Sequence, residues 1–436
     1  MNETLATVVF LLALVVLLGT GVWVGLALLG VALVGMELFT TRPAGDAMIT
    51  TIWTSSSSWA LTALPLFVWM GEILFRTRLS EDMFNGLAPW LTRLPGRLLH
   101  TNIVGCTIFA AVSGSSAATV STIGKMSIPE LRRRGYPEAM AVGTLAGAGT
   151  LGLMIPPSLI MIVYGVTTNE SIARLFMAGV VPGLVLAALF MGYVALWSWL
   201  HPGAIPPEPP LPLTERLRRA RGLLPVLGLI LAVLGSIYFG LATATEAASF
   251  GVVGSLLIAR WQGVLDRRTF LASLMGAVRT SAMIALILMG AAFLALAMGF
   301  TGLPRALAAW IASLDLSPTA LIAALTLFYI VLGCFLDGIS AVVLTISVVD
   351  PMIRAAGIDP IWFGVFIVVV VETAQITPPI GFNLFVLQGM TGHEIDYVAR
   401  VSLPFFLLMV LMVVLLVVFP ELALWLPETM REARVG

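Results

Sequence analysis

Apolar blocks of about 15–30 residues follow one another along the chain, separated by short polar loops. A bilayer core demands about 20 apolar residues of each helix that crosses it, so the pattern predicts a bundle of membrane helices. The first series of apolar runs covers 5–18, 21–38 and 48–75, then an amphipathic stretch at 81–97 with Trp90, Arg93 and Arg97. Two apolar segments interrupted by Ser and Gly follow, at 98–124 and 138–165, and then a long run at 172–200. A second series covers 223–240, 244–260, 269–298, 318–347, 361–388 and 401–426. The proline-rich, then arginine-rich stretch 201–222 joins the two.

The two series are in register. A shift of 222 residues carries Pro129, Pro156, Pro157 and Pro182 onto Pro351, Pro378, Pro379 and Pro404, and Arg132 and Gly135 onto Arg354 and Gly357. Only ten prolines lie beyond residue 222, so four coincidences point to a duplicated unit. Paired halves with Gly/Pro-broken apolar segments are the signature of a secondary transporter.

Composition narrows the class. Of 436 residues 59% are hydrophobic and 11% charged, too few charges for a soluble surface of this size. Net charge is zero, which leaves no argument for nucleic acid, and Cys106 and Cys334 offer neither a disulfide framework nor transition-metal spacing. The amino terminus lacks the basic flank of a cleavable signal and reads as a retained first span. With 98–124 and 318–347 as re-entrant hairpins and the linker in the cytoplasm, each half makes five crossings. The halves are then inverted, both termini lie outside, and 17 of the 23 basic residues fall on the cytoplasmic side.

The chemistry concentrates in the broken segments. The first hairpin carries Ser113, Gly114, Ser115, Ser116, Thr119 and Ser121; its counterpart carries Asp337, Gly338, Ser340 and Thr345. The second broken segment carries Gly147, Gly149, Thr150, Pro156 and Pro157, answered by Glu372, Thr373, Gln375, Thr377, Pro378, Pro379 and Asn383. Broken backbone at membrane depth is tolerated only inside protein or beside a watery cavity. Its freed carbonyls, with hydroxyls and carboxylates, suit a small hard cation such as sodium, and its freed N–H groups suit a carboxylate. Asp337 and Glu372 sit within these segments, where charge is costly and marks function; the shift aligns them with Ser115 and Thr150. Glu72 lies one turn from Arg76 and pairs with it. Lys125 and Arg132–Arg134 read as a solvated loop, and His100, His201 and His393 fall at segment edges.

The stretch SGSSAATVSTIG…IPELRRRGYPEAMAVGTLAGAGTLGLMIPPSLIMIVYG (113–165), with ETAQITPPIGFNLFV (372–386) and LPLFVWMGEIL (64–74), resembles the large membrane subunit of tripartite ATP-independent periplasmic (TRAP) transporters. The resemblance covers nearly the whole chain. It implies an all-α polytopic membrane protein of the ion-transporter superfamily, with two inverted repeats and an elevator-type movement. Residues 1–200 form the first repeat (arm 1–97, transport part 98–165), and 223–436 the second (arm 223–300, transport part 318–388). It also implies sodium-driven uptake of an organic acid across a bacterial inner membrane, with no other cofactor. The expected partners are a periplasmic substrate-binding protein and a small four-helix membrane subunit, within surrounding lipid. The first span begins at residue 5, so the small subunit is expected as a separate chain. Ser113–Ser116 with Gly149 and Thr150 form one expected sodium site; Asp337, Gly338, Ser340, Glu372 and Thr373 form the other. Thr119, Pro156, Pro157, Gln375, Thr377, Pro378, Pro379 and Asn383 are the expected substrate contacts.

Three other readings compete. A stand-alone sodium/carboxylate carrier of the same superfamily would need no binding protein. An intramembrane serine protease is prompted by Ser113-Gly114-Ser115, but a nucleophile needs a neighbouring base and no histidine falls within a membrane segment. A non-transporting scaffold gains nothing from two costly helix interruptions.

Overall fold

The computed structural model describes residues 3–209, 211–302, 316–378 and 381–430, all in helices and the turns between them. Pro379, named above, lies outside the described residues, as do Arg305, Arg431 and Arg434, counted among the basic residues. Among those described, six helices are long and apolar enough to cross a membrane: Glu138–Thr168, Ile172–Leu200, Leu213–Tyr238, Arg267–Thr301, Gly338–Ala355 and Ile395–Val418. The pair Ala44–Ser56 and Trp59–Phe75, bent by 59°, makes a seventh if counted as one span. Shorter apolar helices include Val24–Phe39, Leu99–Ser113, Pro318–Gly333 and Pro360–Gln375.

The helices recur at the same offset as the prolines. Moved by 222 residues, Ser116–Arg133 coincides with Gly338–Ala355 at both ends, and Val24–Phe39 falls within Ala244–Trp261. Leu159–Thr168 falls one residue short of Phe382–Thr391. Local chemistry sets these boundaries. Ser115 caps one of the coincident helices by accepting from the Ala118 N–H, and Asp337 caps the other by accepting from Ile339 and Ser340. In each case the cap satisfies N–H groups that the first turn leaves without partners. Pro129 and Pro351 lie inside these helices without ending them.

One expectation is corrected and one sharpened. The first hairpin does not stop at residue 124: its second helix runs to Arg133, so Lys125 lies on a helix rather than in a loop. Its exposed side chain keeps the ammonium in a polar setting, so one charge does not end the helix. His100 is at the edge of a segment, as expected, but is buried in the first turn of Leu99–Ser113, with Nε2 2.6 Å from the Pro95 carbonyl oxygen.

Packing locks the two series together. Helix Leu159–Thr168 lies against Gly338–Ala355, and helix Phe382–Thr391 lies against Ser116–Arg133. Each broken segment's far helix therefore rests on the other half's hairpin. Ion pairs reinforce both contacts. Arg354 donates to Asp350 and Glu170 at 2.9 Å each; on the other side, Glu138 takes up both Arg132 and His393. Helices Val24–Phe39, Trp59–Phe75, Ala244–Trp261 and Arg267–Thr301 pack into a separate apolar group beside this core. In the linker, Glu208 accepts from Arg134 at 2.7 Å and from the Tyr136 hydroxyl at 3.3 Å, while Arg97 donates to the Pro206 carbonyl. The basic end of the linker is helical, Leu213–Ala220, and rests on helix Leu79–Leu91.

Candidate transport site

The first hairpin turns at Gly114, whose φ of 59° is left-handed and suits glycine. Ser113 shares a 2.8 Å hydrogen bond with Thr119, and the Thr119 hydroxyl donates to the Ser115 carbonyl at 2.8 Å. This knot of hydroxyls presses on the break in the next helix. A Cβ at Gly152 would lie 2.6 Å from the Ser115 carbonyl oxygen, 2.6 Å from Ser116 Cα and 2.7 Å from Thr119 Oγ1. The break itself passes through Thr150, fully buried with its hydroxyl donating to the Gly147 carbonyl at 2.6 Å, then through Pro156 and Pro157. Pro156-Pro157 is a cis peptide. Ser158 caps the helix beyond, accepting from the Met161 N–H at 3.3 Å. Gly149 abuts Val120 so closely that a Cβ would overlap it. Gly147 likewise lies against Phe405.

The second hairpin meets its own broken helix in the same way. A Cβ at Gly338 would stand 2.7 Å from Val371 Cγ1, and one at Gly333 2.5 Å from Ala374 Cβ. Asp337 is exposed at the tip, occupied with its cap and with the Ser340 hydroxyl. Thr345 shares a 2.7 Å hydrogen bond with Tyr329. Thr373 and Thr377 donate to the Val369 and Thr373 carbonyls at 2.7 and 2.8 Å. Pro378 is exposed.

Glu372 is different. Its side chain is fully buried, and neither carboxylate oxygen has a hydrogen-bond partner. Its polar neighbour is Ser116, at the tip of the first half's hairpin, although no well-formed hydrogen bond joins them. Gln375 Nε2, and both polar atoms of the fully buried Asn383, are likewise unpartnered. Among the described residues no arginine or lysine pairs with Glu372 or Asp337. Unsatisfied buried polar groups are rare in folded proteins and call for a ligand, an ion or ordered water. Here three fall within twelve residues of one broken helix, and one of them, Glu372, stands next to a serine from the other half.

Two crevices open along the hairpins' second helices, Ser116–Arg133 and Gly338–Ala355. One, of about 320 Å³, lies between Val68, Glu72, Phe75 and Thr280 on one wall and Ser113, Ser115, Ser121 and Phe382 on the other. The other, of about 440 Å³, lies between Ser58, Leu61 and Ala295 and the wall formed by Asn169, Val343, Ser347 and Asp350. Ser121 and Thr280 of the first correspond, by the 222-residue shift, to Val343 and Ser58 of the second. Glu72, in the first crevice, takes the Arg76 guanidinium as expected.

Sequence reading singled out Thr150 but stopped short of Gly152 and Ser158. The unbroken Gly-rich run GTLAGAGTLG was the available signal for the former, and Ser directly after Pro-Pro for the latter. Buried Asn102, which donates to Thr144 at 2.9 Å, was also missed, as a lone amide in an apolar run.

Two broken helices, one of them carrying buried, unpartnered polar groups, among membrane-length helices define a multi-pass membrane transporter. The protease reading fails on geometry as well: Ser113 and His100 stand at opposite ends of one helix, roughly 20 Å apart at 1.5 Å per residue. The chain belongs to the DctM component family of the tripartite ATP-independent periplasmic transporters, whose model matches residues 11–422. The C4-dicarboxylate TRAP transporter large permease protein DctM of Pseudomonas aeruginosa is 32% identical over 379 residues, 86% of this chain and 88% of that one. The ectoine/5-hydroxyectoine permease UehC of Ruegeria pomeroyi is 28% identical over 431 residues, 97% of this chain and 99% of that one. The isethionate permease DctMQ of Oleidesulfovibrio alaskensis is 31% identical over 377 residues, 85% of this chain and 59% of that one. These relatives are named as permeases, not enzymes. In fold, the chain is similar to the Alcanivorax borkumensis YdaH transporter, at a TM-score of 0.67, 15% identity, and coverage of 92% of this chain and 98% of that one.

Proposed function

We propose that this chain forms the translocation path of a sodium-coupled uptake system for a small organic acid of the C4-dicarboxylate, isethionate or ectoine kind. A periplasmic binding protein delivers the acid, and a small membrane subunit completes the assembly. The observation that carries the reading is Glu372: a carboxylate with no partner, fully buried beside Ser116. A bare charge there costs several kcal/mol, which a bound cation offsets. Ser113–Ser116, Gly149 and Thr150 hold one sodium, and Glu372, Thr373 and the Asp337–Ser340 tip hold the other. Gln375 and Asn383 turn their unpartnered amides to the acid.

The movement we propose is of elevator type. The hairpins and broken helices carry the site, and the arm helices stay in the membrane. The two crevices at the seam between these parts, related by the repeat, support this reading. An inverted duplication would place them on opposite sides of the membrane. The 17-to-6 partition of basic residues supports a cytoplasmic linker and external termini.

The test is uptake into proteoliposomes holding the chain and its small subunit, with the binding protein outside. An inward sodium gradient should drive accumulation of succinate, isethionate or ectoine. Uptake indifferent to sodium removes the coupling, and uptake undiminished without the binding protein favours a stand-alone carrier.

A further inference from the structure

The chain has 23 basic residues, and Lys125 is its one lysine. It stands one turn beyond Ser121 on the first hairpin's second helix, on the same face by helical spacing. Its side chain is exposed, and its ammonium sits 5.3 Å from the centroid of the Phe75 ring. Phe75 and Ser121 both line the 320 Å³ crevice, while Lys125 itself lines a second cleft with Gly124, Pro129, Arg132 and Met390, so the ammonium stands beside the crevice, at its Phe75 edge.

The charges around it are already engaged. Glu72, the charged lining residue of the crevice, is held by Arg76. Arg132 and Arg133, further along the helix, are held by Glu138 and Glu130. Among the described residues Lys125 makes no ion pair, which leaves it an uncommitted cation beside this crevice. The crevice otherwise offers hydroxyls from Ser113, Ser115, Ser121 and Thr280 on apolar walls. One cation beside a hydroxyl-lined cleft with its carboxylate neutralised is a receiving site for an anion.

We propose that Lys125 meets the carboxylate or sulfonate of the substrate in this crevice, exchanging the Phe75 ring for the anion as it passes. The proposal rests on the transport reading above, in that it places this crevice on the substrate's path. The exchange runs downhill, because a cation resting on a half-buried ring is held more weakly than one hydrogen-bonded to an anion. The choice of lysine in a chain otherwise using arginine fits the task. An ammonium is a rotatable point charge that takes one oxygen and releases it, whereas a guanidinium grips two at once.

A sole lysine makes the test direct. Reductive methylation with ¹³C-formaldehyde keeps the charge and labels Lys125 and the amino terminus alone, and Lys125→Arg assigns the signal by its loss. In the full chain in nanodiscs, Phe75→Leu should move the Lys125 signal without any ligand. Millimolar succinate and isethionate should move it in the unmodified sequence, and erythritol should not. In proteoliposomes, Lys125→Gln should lower kcat/KM for succinate about tenfold, the loss of one charge-assisted hydrogen bond. Lys125→Arg should restore KM while slowing turnover. A signal that ignores both anions, or a Gln variant with unaltered kcat/KM, overturns the proposal. Uptake that ignores sodium would instead sink the coupling and leave the Lys125 signal to be judged separately.

Discussion

Replacing Gly152 with alanine asks whether the seating of the first hairpin on the broken helix matters. The added methyl would meet three atoms inside 3.0 Å, and two of them, the Ser115 carbonyl oxygen and Ser116 Cα, are backbone. Backbone cannot rotate away, so the hairpin tip must lift. Overpacking of this kind costs about 1–3 kcal/mol, with rigid neighbours at the upper end. Alanine returns up to about 1 kcal/mol through helix propensity in the short helix Leu151–Met154. The net expectation is roughly 1–2 kcal/mol of destabilisation. If sodium requires a seated tip, the same penalty appears in its binding, and every 1.4 kcal/mol is about tenfold in affinity. The assay is thermal unfolding of the purified chain across a sodium titration. Gly192→Ala serves as the control, since a Cβ there meets nothing within 4 Å. Gly152→Ala should melt earlier and need about tenfold more sodium for the same protection. A variant with the parent's melting curve and sodium midpoint would refute the link between tip seating and the ion.

Two further substitutions separate carboxylate roles. Glu372→Gln keeps shape and removes the charge; the protein should stay folded and retain its membrane partner while uptake loses its sodium response, and unchanged sodium-dependent uptake would assign the group to packing. Asp337→Ala should lower helix stability by about 1 kcal/mol through loss of the cap, measured as a melting shift. Asp337→Asn keeps a capping oxygen, so lost uptake in a variant of normal melting temperature isolates an ionic role from the structural one.

Much of this architecture was legible because Gly and Pro interruptions in apolar sequence are local signals. Gly114, the Pro156-Pro157 pair and the 222-residue echo could be read without any tertiary knowledge. What could not be read is which half faces which residue. Asp337 and Glu372 look alike in sequence, as acids in broken helices, yet Asp337 is an exposed cap and Glu372 a buried carboxylate. The approach of Ser116 to Glu372 joins residues 256 positions apart (372 minus 116), and no periodicity encodes it. The apolar pattern breaks at Lys125 and reads as a loop there, whereas an exposed helix face tolerates the charge.

The crosswise packing of the two halves bears on how the chain is made. Helix Leu159–Thr168 emerges from the ribosome long before Gly338–Ala355, the helix that covers it. During that interval its Pro-Pro entry and the capped turn at Ser158 have no finished wall, in a medium that punishes open backbone. At about 5–20 residues per second, synthesis of the intervening stretch takes on the order of ten seconds or more. The first half must wait out that time in the bilayer half-dressed, and the second completes it only by being completed in turn. A chain cut in the linker should therefore yield two fragments that are each short-lived alone and stable when made together.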